Sequence, residues 1–131
     1  MGMRGIRGAI TAAANEKDAI VAATVRLLRE MIARNGVGVG DIAAIFFTTT
    51  PDLPAEFPAA AARQLGWSDV PLLCGHEMSV PARLDKCVRV MMLVNTDVGQ
   101  SGIHHTYLDG AQSLRPDLHP DGYTKESDNR P

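Results

Sequence analysis

The chain has 131 residues, a formal charge of −2, 45% apolar and 21% charged residues, which fits one domain with a packed core and excludes a generic polyanion binder or a disordered chain. Aromatic residues make up only 5%, so Ala, Val, Ile, Leu and Met must fill the interior. Cys74 and Cys87 are the two cysteines, too few for a disulfide framework and suited to a reducing, cytoplasmic setting.

Met3 to Thr11 is rich in small and β-branched residues and reads as a strand with Met3, Gly5, Arg7 and Ala9 on one face. The start carries Arg4 and Arg7 and lacks a continuous apolar run, so no signal peptide is expected. Nor does any stretch reach the ~18 apolar residues of a membrane span. Asn15 offers a helix N-cap, and Glu16 and Asp18 suit the positive end of a helix. Ile20, Thr24, Leu27, Leu28, Met31 and Ile32 then recur at helical spacing up to Asn35-Gly36, predicting an amphipathic helix over residues 16–34. Ile42 to Thr50 reads as a buried strand ended by Pro51, and Pro58 opens an alanine-rich second helix that stops at Gly66. Short strands are expected at Val70 to Cys74 and His104 to Leu108, around the strongest strand pattern, Cys87 to Thr96. Gly99 to Gly102 reads as a turn, and Gly110 precedes a last extended piece to Leu114.

These elements predict one domain over residues 1–116 and a flexible polar tail over 117–131. The fold class is mixed α/β, or α+β: a mixed β-sheet with two main helices. So little helix leaves one sheet face poorly covered, and burial against further copies of the chain is the expected remedy.

The thirteen basic residues divide into ten Arg and three Lys. Arg binds carboxylates through a planar fork that Lys lacks, although a GC-rich coding sequence gives the same bias. Arg89 lies among apolar neighbours at both strand parities, Val88, Val90, Met91 and Met92, so both faces of its strand are expected to be buried. A guanidinium there must meet an anion, either a ligand or a protein carboxylate. Arg7, flanked by Ile6 and Gly8, sits where a ligand or another backbone can come close, or is an ordinary edge-strand arginine. Glu77 in C-G-H-E-M is a candidate acceptor for a ligand hydroxyl or a surface acid, and Tyr107 a phenolic donor or a packed aromatic. Arg63 and Arg115 say little in isolation. No metal site is expected, because Cys74, His76 and Glu77 lack ligand spacing. Cys74 with His76 is discounted as a nucleophile pair on the expectation that the two point to opposite strand faces. No phosphate-binding loop or nucleophile elbow occurs.

In order along the chain stand R-G-I-R-G-A at 4–9, T-P-D-L at 50–53, Phe57-Pro58, C-G-H-E-M at 74–78 and K-C-V-R-V-M-M at 86–92. Val98, Tyr107-Leu108 and L-R-P-D at 114–117 continue the series. Together they resemble the small monofunctional, trimeric class of chorismate mutase, from about residue 3 to residue 118. The resemblance implies an isomerase that rearranges chorismate to prephenate on the route to phenylalanine and tyrosine, without cofactor. It implies a homotrimer forming a pseudo-α/β-barrel with sites between subunits. By motif, Arg89 would lie by the ether oxygen of the breaking bond, Arg7 would bind a carboxylate, Glu77 would accept from the ring hydroxyl and Tyr107 would bind near the side-chain carboxylate. Phe57, Leu73, Cys74 and Leu114 would pack around the ligand, with Arg63 and Arg115 at the entrance. Ala60 departs from the pattern, standing where some members carry a basic residue. Two other readings fit the same arginines: an imine or enamine deaminase on a similar trimer, and a non-catalytic trimeric carboxylate-binding module.

Overall fold

The fold is taken from a computed structural model that describes residues 2–80 and 83–118. Its centre is an antiparallel pair, β1 (Gly2–Thr11) and β4 (Cys87–Thr96), matched from Gly2 opposite Thr96 to Thr11 opposite Cys87. On the other side of β4 lies β2 (Ile42–Thr49), also antiparallel, and beyond it β3 (Leu72–His76), parallel to β2. A two-residue strand, β5 (Thr106–Tyr107), lies parallel to β1, so the order is β3-β2-β4-β1-β5. Arg7 is therefore on an interior strand.

The period-2 pattern of these strands sorts their side chains between two unlike faces. Ile6, Ile10, Ile45, Phe47, Val88, Val90, Met92 and Val94 are buried in the main core. Against them packs α1 (Lys17–Asn35) through Ile20, Leu27, Leu28 and Met31, each without exposed surface. Full burial of such a side chain is worth about 1.5–3 kcal/mol, so this stripe anchors the domain. Helix and sheet meet closely at Gly8, where an added Cβ would lie 2.5 Å from Met31 Sδ. Gly36, at φ 60, ends α1 in the left-handed conformation, where its N–H bonds back to Ala33. The second helix, α2 (Ala60–Gln64), is short and adds Ala61 and Ala62 to the core.

The opposite sheet face stays largely open. Tyr107, Ala111, Leu84 and Leu114 cover only its Ala9–Cys87 end. Phe46, Leu73 and Met91 remain exposed, and Arg89 keeps 48% of its side-chain surface. The expectation that both faces of Arg89's strand are buried is thus not met within one chain: Cys87 to Thr96 alternates buried and exposed for much of its length.

Smaller expectations also change. Asn15 does not cap α1; Glu16 holds the cap position without a side-chain bond, and Asn15 Oδ1 accepts from Ala55 N at 3.0 Å. The third strand starts at Leu72 rather than Val70, whose side chain joins the core from the preceding turn. The strand expected at His104 to Leu108 shrinks to two residues, and the extended piece to Leu114 is a 3-10 helix, Asp109–Leu114. Asp109 at φ 52 turns the chain out of the strand direction there. Of the expected tail, Asp117 and Leu118 belong to a short 3-10 turn, and residues 119–131 lie outside the described residues.

Candidate active site

Residues on the open face converge because strand parity and register agree. Arg7 is opposite Met91 and Ala9 opposite Arg89 across β1 and β4, while Thr48 is opposite Arg89 across β2 and β4. Arg7, Thr48, Arg89 and Met91 thus line a single cleft of about 300 Å³, joined by Tyr107, Leu114 and Arg115 from the chain that returns past β5.

Glu77, just beyond β3, enters this cluster through its backbone and side chain. Its N–H donates to Thr49 O at 2.8 Å, its carboxylate accepts from the Thr48 hydroxyl, and its Oε2 lies 3.8 Å from Arg89 Nε. Arg89 therefore faces a carboxylate already, on a cleft wall that is half exposed. Arg115 sits over the Tyr107 ring, 5.9 Å from its centroid, and donates to both oxygens of Asp117 at 3.0 and 2.8 Å. That carboxylate raises the Arg115 pKa, keeping the guanidinium charged. Its Nη1 is shielded from solvent and makes no hydrogen bond of good geometry among the described residues.

His105 supports Arg7 from the side. Its Nδ1 accepts from the Arg7 backbone N–H at 2.9 Å, an imidazole doing the work of a carbonyl at the frayed end of the β1–β5 ladder. Burial, then the nearby Arg7, Arg115 and His104, lower its pKa and favour the neutral acceptor form. The root of β4 is fixed by Asp52, whose carboxylate accepts from Lys86 N at 2.9 and 3.1 Å and from the Thr50 hydroxyl. Burial opposes its ionisation, but these donors prevail and lower its pKa.

The other expected ligand contacts form a second group. Phe57 and Cys74 line a separate depression of about 400 Å³ with Glu56, Pro58 and His76. Leu73 and Arg63 are exposed and line neither hollow. Cys74 and His76 lie two residues apart on β3, so they share a face, contrary to the expectation of opposite faces. Burial raises the Cys74 pKa, and Cys87's to about 11, which leaves neither a ready nucleophile. No group of three metal-ligand side chains occurs among the described residues. The sequence reading missed Thr48, His105 and Asp117; only strand parity hinted at the first.

Residues 3–118 match the family chorismate mutase type I, nearly the whole described chain. The chain belongs to the chorismate mutase type I family. It is 48% identical over 117 residues to chorismate mutase AroH of Thermus thermophilus, spanning 88% of this chain and 96% of that protein. Chorismate mutase AroH of Bacillus subtilis (strain 168) is 46% identical over 119 residues, 90% of this chain and 94% of that one. A solved chorismate mutase from Clostridium thermocellum superposes with a TM-score of 0.84 at 51% identity, covering 85% of this chain and 99% of that one. Membership of the chorismate mutase family supplies the function that the arginines alone left open, and displaces both the deaminase and the binding-module readings. Among the described residues, no helix of this chorismate mutase is long and apolar enough to cross a membrane.

Proposed function

We propose that this chorismate mutase binds chorismate in the Arg7–Arg89–Arg115 cleft and completes each site with Phe57, Arg63, Leu73 and Cys74 of a neighbouring copy, in a cytoplasmic homotrimer. The observation that carries the reading is the convergence of three arginines and a tyrosine on one wall of an open sheet face. The apolar residues beside them, Phe46, Leu73 and Met91, are exposed in the single chain, which suits burial by another copy.

Chorismate is a dicarboxylate, and guanidinium forks match carboxylates in geometry and charge. Its conversion to prephenate is a pericyclic Claisen rearrangement: the ether C–O bond breaks as a C–C bond forms, with no proton transferred and no covalent enzyme intermediate. The protein must therefore do two things. It must hold the substrate folded so that the reacting carbons approach, a gain in orientation. It must also meet the negative charge growing on the ether oxygen, which Arg89 does more strongly in the transition state than in the ground state. Arg7 and Arg115 bind carboxylates, Tyr107 adds a hydrogen bond, and Glu77 accepts from the ring hydroxyl while orienting Arg89.

Two experiments test this. Purified protein should deplete chorismate absorbance and yield prephenate without added metal or cofactor. Co-refolding Arg89→Ala chains with Arg63→Ala chains should give more activity than the average of the two variants alone, because some mixed sites carry both arginines. Activity no higher than that average would refute the shared site.

A further inference from the structure

We propose that Arg26 on α1 and Asp109 form a positioning pair for the chorismate mutase site, a role that rests on the reading of the Arg7–Arg89–Arg115 cleft above. Arg26 is on the helix that packs against the opposite sheet face, and 83 residues separate it from Asp109. Its Nη1 and Nη2 nevertheless donate to the two oxygens of Asp109 at 2.8 and 3.0 Å. The side chains retain 27% and 29% of their surface, so this two-pronged pair is partly shielded from water and better defined than an open surface ion pair.

The location gives the pair its effect. Asp109 lies between Tyr107 and the Leu114–Arg115 wall of the cleft, at the corner where the chain leaves β5 for the 3-10 helix. The corner holds a non-glycine residue at φ 52, a conformation that Asp and Asn tolerate but that needs support from its surroundings. Three anchors supply that support. Leu108 N donates to Ala9 O at 2.9 Å, Gly110 N donates to Thr11 Oγ1 at 3.0 Å, and the Asp109 carboxylate is held by Arg26. The first two tie the corner to β1; the third ties it to α1 and sets its tilt. Ala111 N to Leu108 O at 3.0 Å and Arg115 N to Gln112 O at 3.2 Å carry that tilt along the short helix to Arg115. Arg89 stands on β4, outside this segment. Loosening the pair should therefore displace the carboxylate-binding groups while leaving the group at the breaking bond in place.

The test compares Asp109→Asn, Arg26→Met, Arg26→Lys and the Asp109→Asn/Arg26→Met double variant with wild type, using the full chain and chorismate. Asn tolerates the left-handed corner, so Asp109→Asn removes charge with the backbone kept. A misplacement of this kind costs up to about 100-fold, and KM is expected to rise by about tenfold in each single charge-removing variant, kcat changing less. Arg26→Lys should fall between these and wild type, and the double variant should be no worse than either single one. Gly110→Ala provides an independent arm, since its Cβ would lie 2.9 Å from Thr11 Cγ2 and push the same corner aside without altering charge; it should raise KM too. A pair that only stabilises the fold would lower Tm and leave KM of the folded enzyme unchanged, and that result overturns the proposal. Arg115→Ala is the control: if it raises KM and the pair variants do not, the positioning role is wrong and the cleft stands. If Arg115→Ala also leaves KM unchanged, the cleft assignment has failed and the pair's role falls with it.

Discussion

Arg89→Ala is the sharpest test of the electrostatic argument. The substitution removes the only full charge that the proposed pose sets beside the ether oxygen, and loss of a donor at such a position costs about 3–4 kcal/mol. The structure adds a second cost. Glu77 Oε2 lies 3.8 Å from Arg89 Nε, so the variant leaves that carboxylate unpaired in a cleft that must admit a dianion. That repulsion acts on the bound substrate before the reaction begins, so it raises KM; unit like charges about 4 Å apart would repel by about 1 kcal/mol even with water-like screening. The lost donor alone gives a fall in kcat of about 10²- to 10³-fold, and the repulsion shows as a higher KM. The assay is continuous loss of chorismate absorbance at saturating substrate, with circular dichroism and an unchanged solution mass confirming an intact fold. Arg89→Ala/Glu77→Gln should lower KM relative to Arg89→Ala by about tenfold at most and leave kcat low, because it cancels only the repulsion. A kcat within tenfold of wild type for Arg89→Ala would refute the transition-state role, whatever happened to KM.

Three further outcomes follow from the same geometry. Phe46→Asp places a charge on the exposed apolar face beside Met91 and should convert the proposed homotrimer to smaller species in analytical ultracentrifugation; unchanged mass would show that this face is not buried between copies. Because the His105 pKa is lowered in the fold, the unfolded chain takes up the proton first as pH falls below the ordinary value of about 6.5, so stability should decline from there through the lower folded value and be level above about pH 7. His105→Asn, which keeps an acceptor for Arg7 N–H, should flatten that part of the Tm–pH curve, and an undiminished slope would assign it elsewhere. Gly8→Ala drives a Cβ to 2.5 Å from Met31 Sδ and should cost about 1–3 kcal/mol in denaturant unfolding; addition of Met31→Ala should cost less than its own cavity penalty, and strict additivity would argue against the contact.

Local pattern and the residue types of the chemistry were legible in the chain alone. Short runs of β-branched and other apolar residues located β1 and β4 almost to the residue, helical spacing and Gly36 located α1, and the ordered motifs from Arg4 to Asp117 carried the family resemblance. Parity also placed Arg7 on a definite strand face, since a period of two is a property of the chain alone. It could not say which face of β4 is covered. Val88 to Val94 is apolar at both parities, and only the packing of α1 and α2 onto one side leaves Arg89 and Met91 open on the other. Nor did any local signal mark the pairing of Glu77 with Thr48 and Arg89, or of Arg26 with Asp109. Those meetings depend on strand register and on a corner at positive φ, which set distances between residues far apart in the chain. Chemistry was legible because charged side chains have few physical uses on an apolar strand; position was not, because it is decided by contacts that short stretches of sequence do not encode.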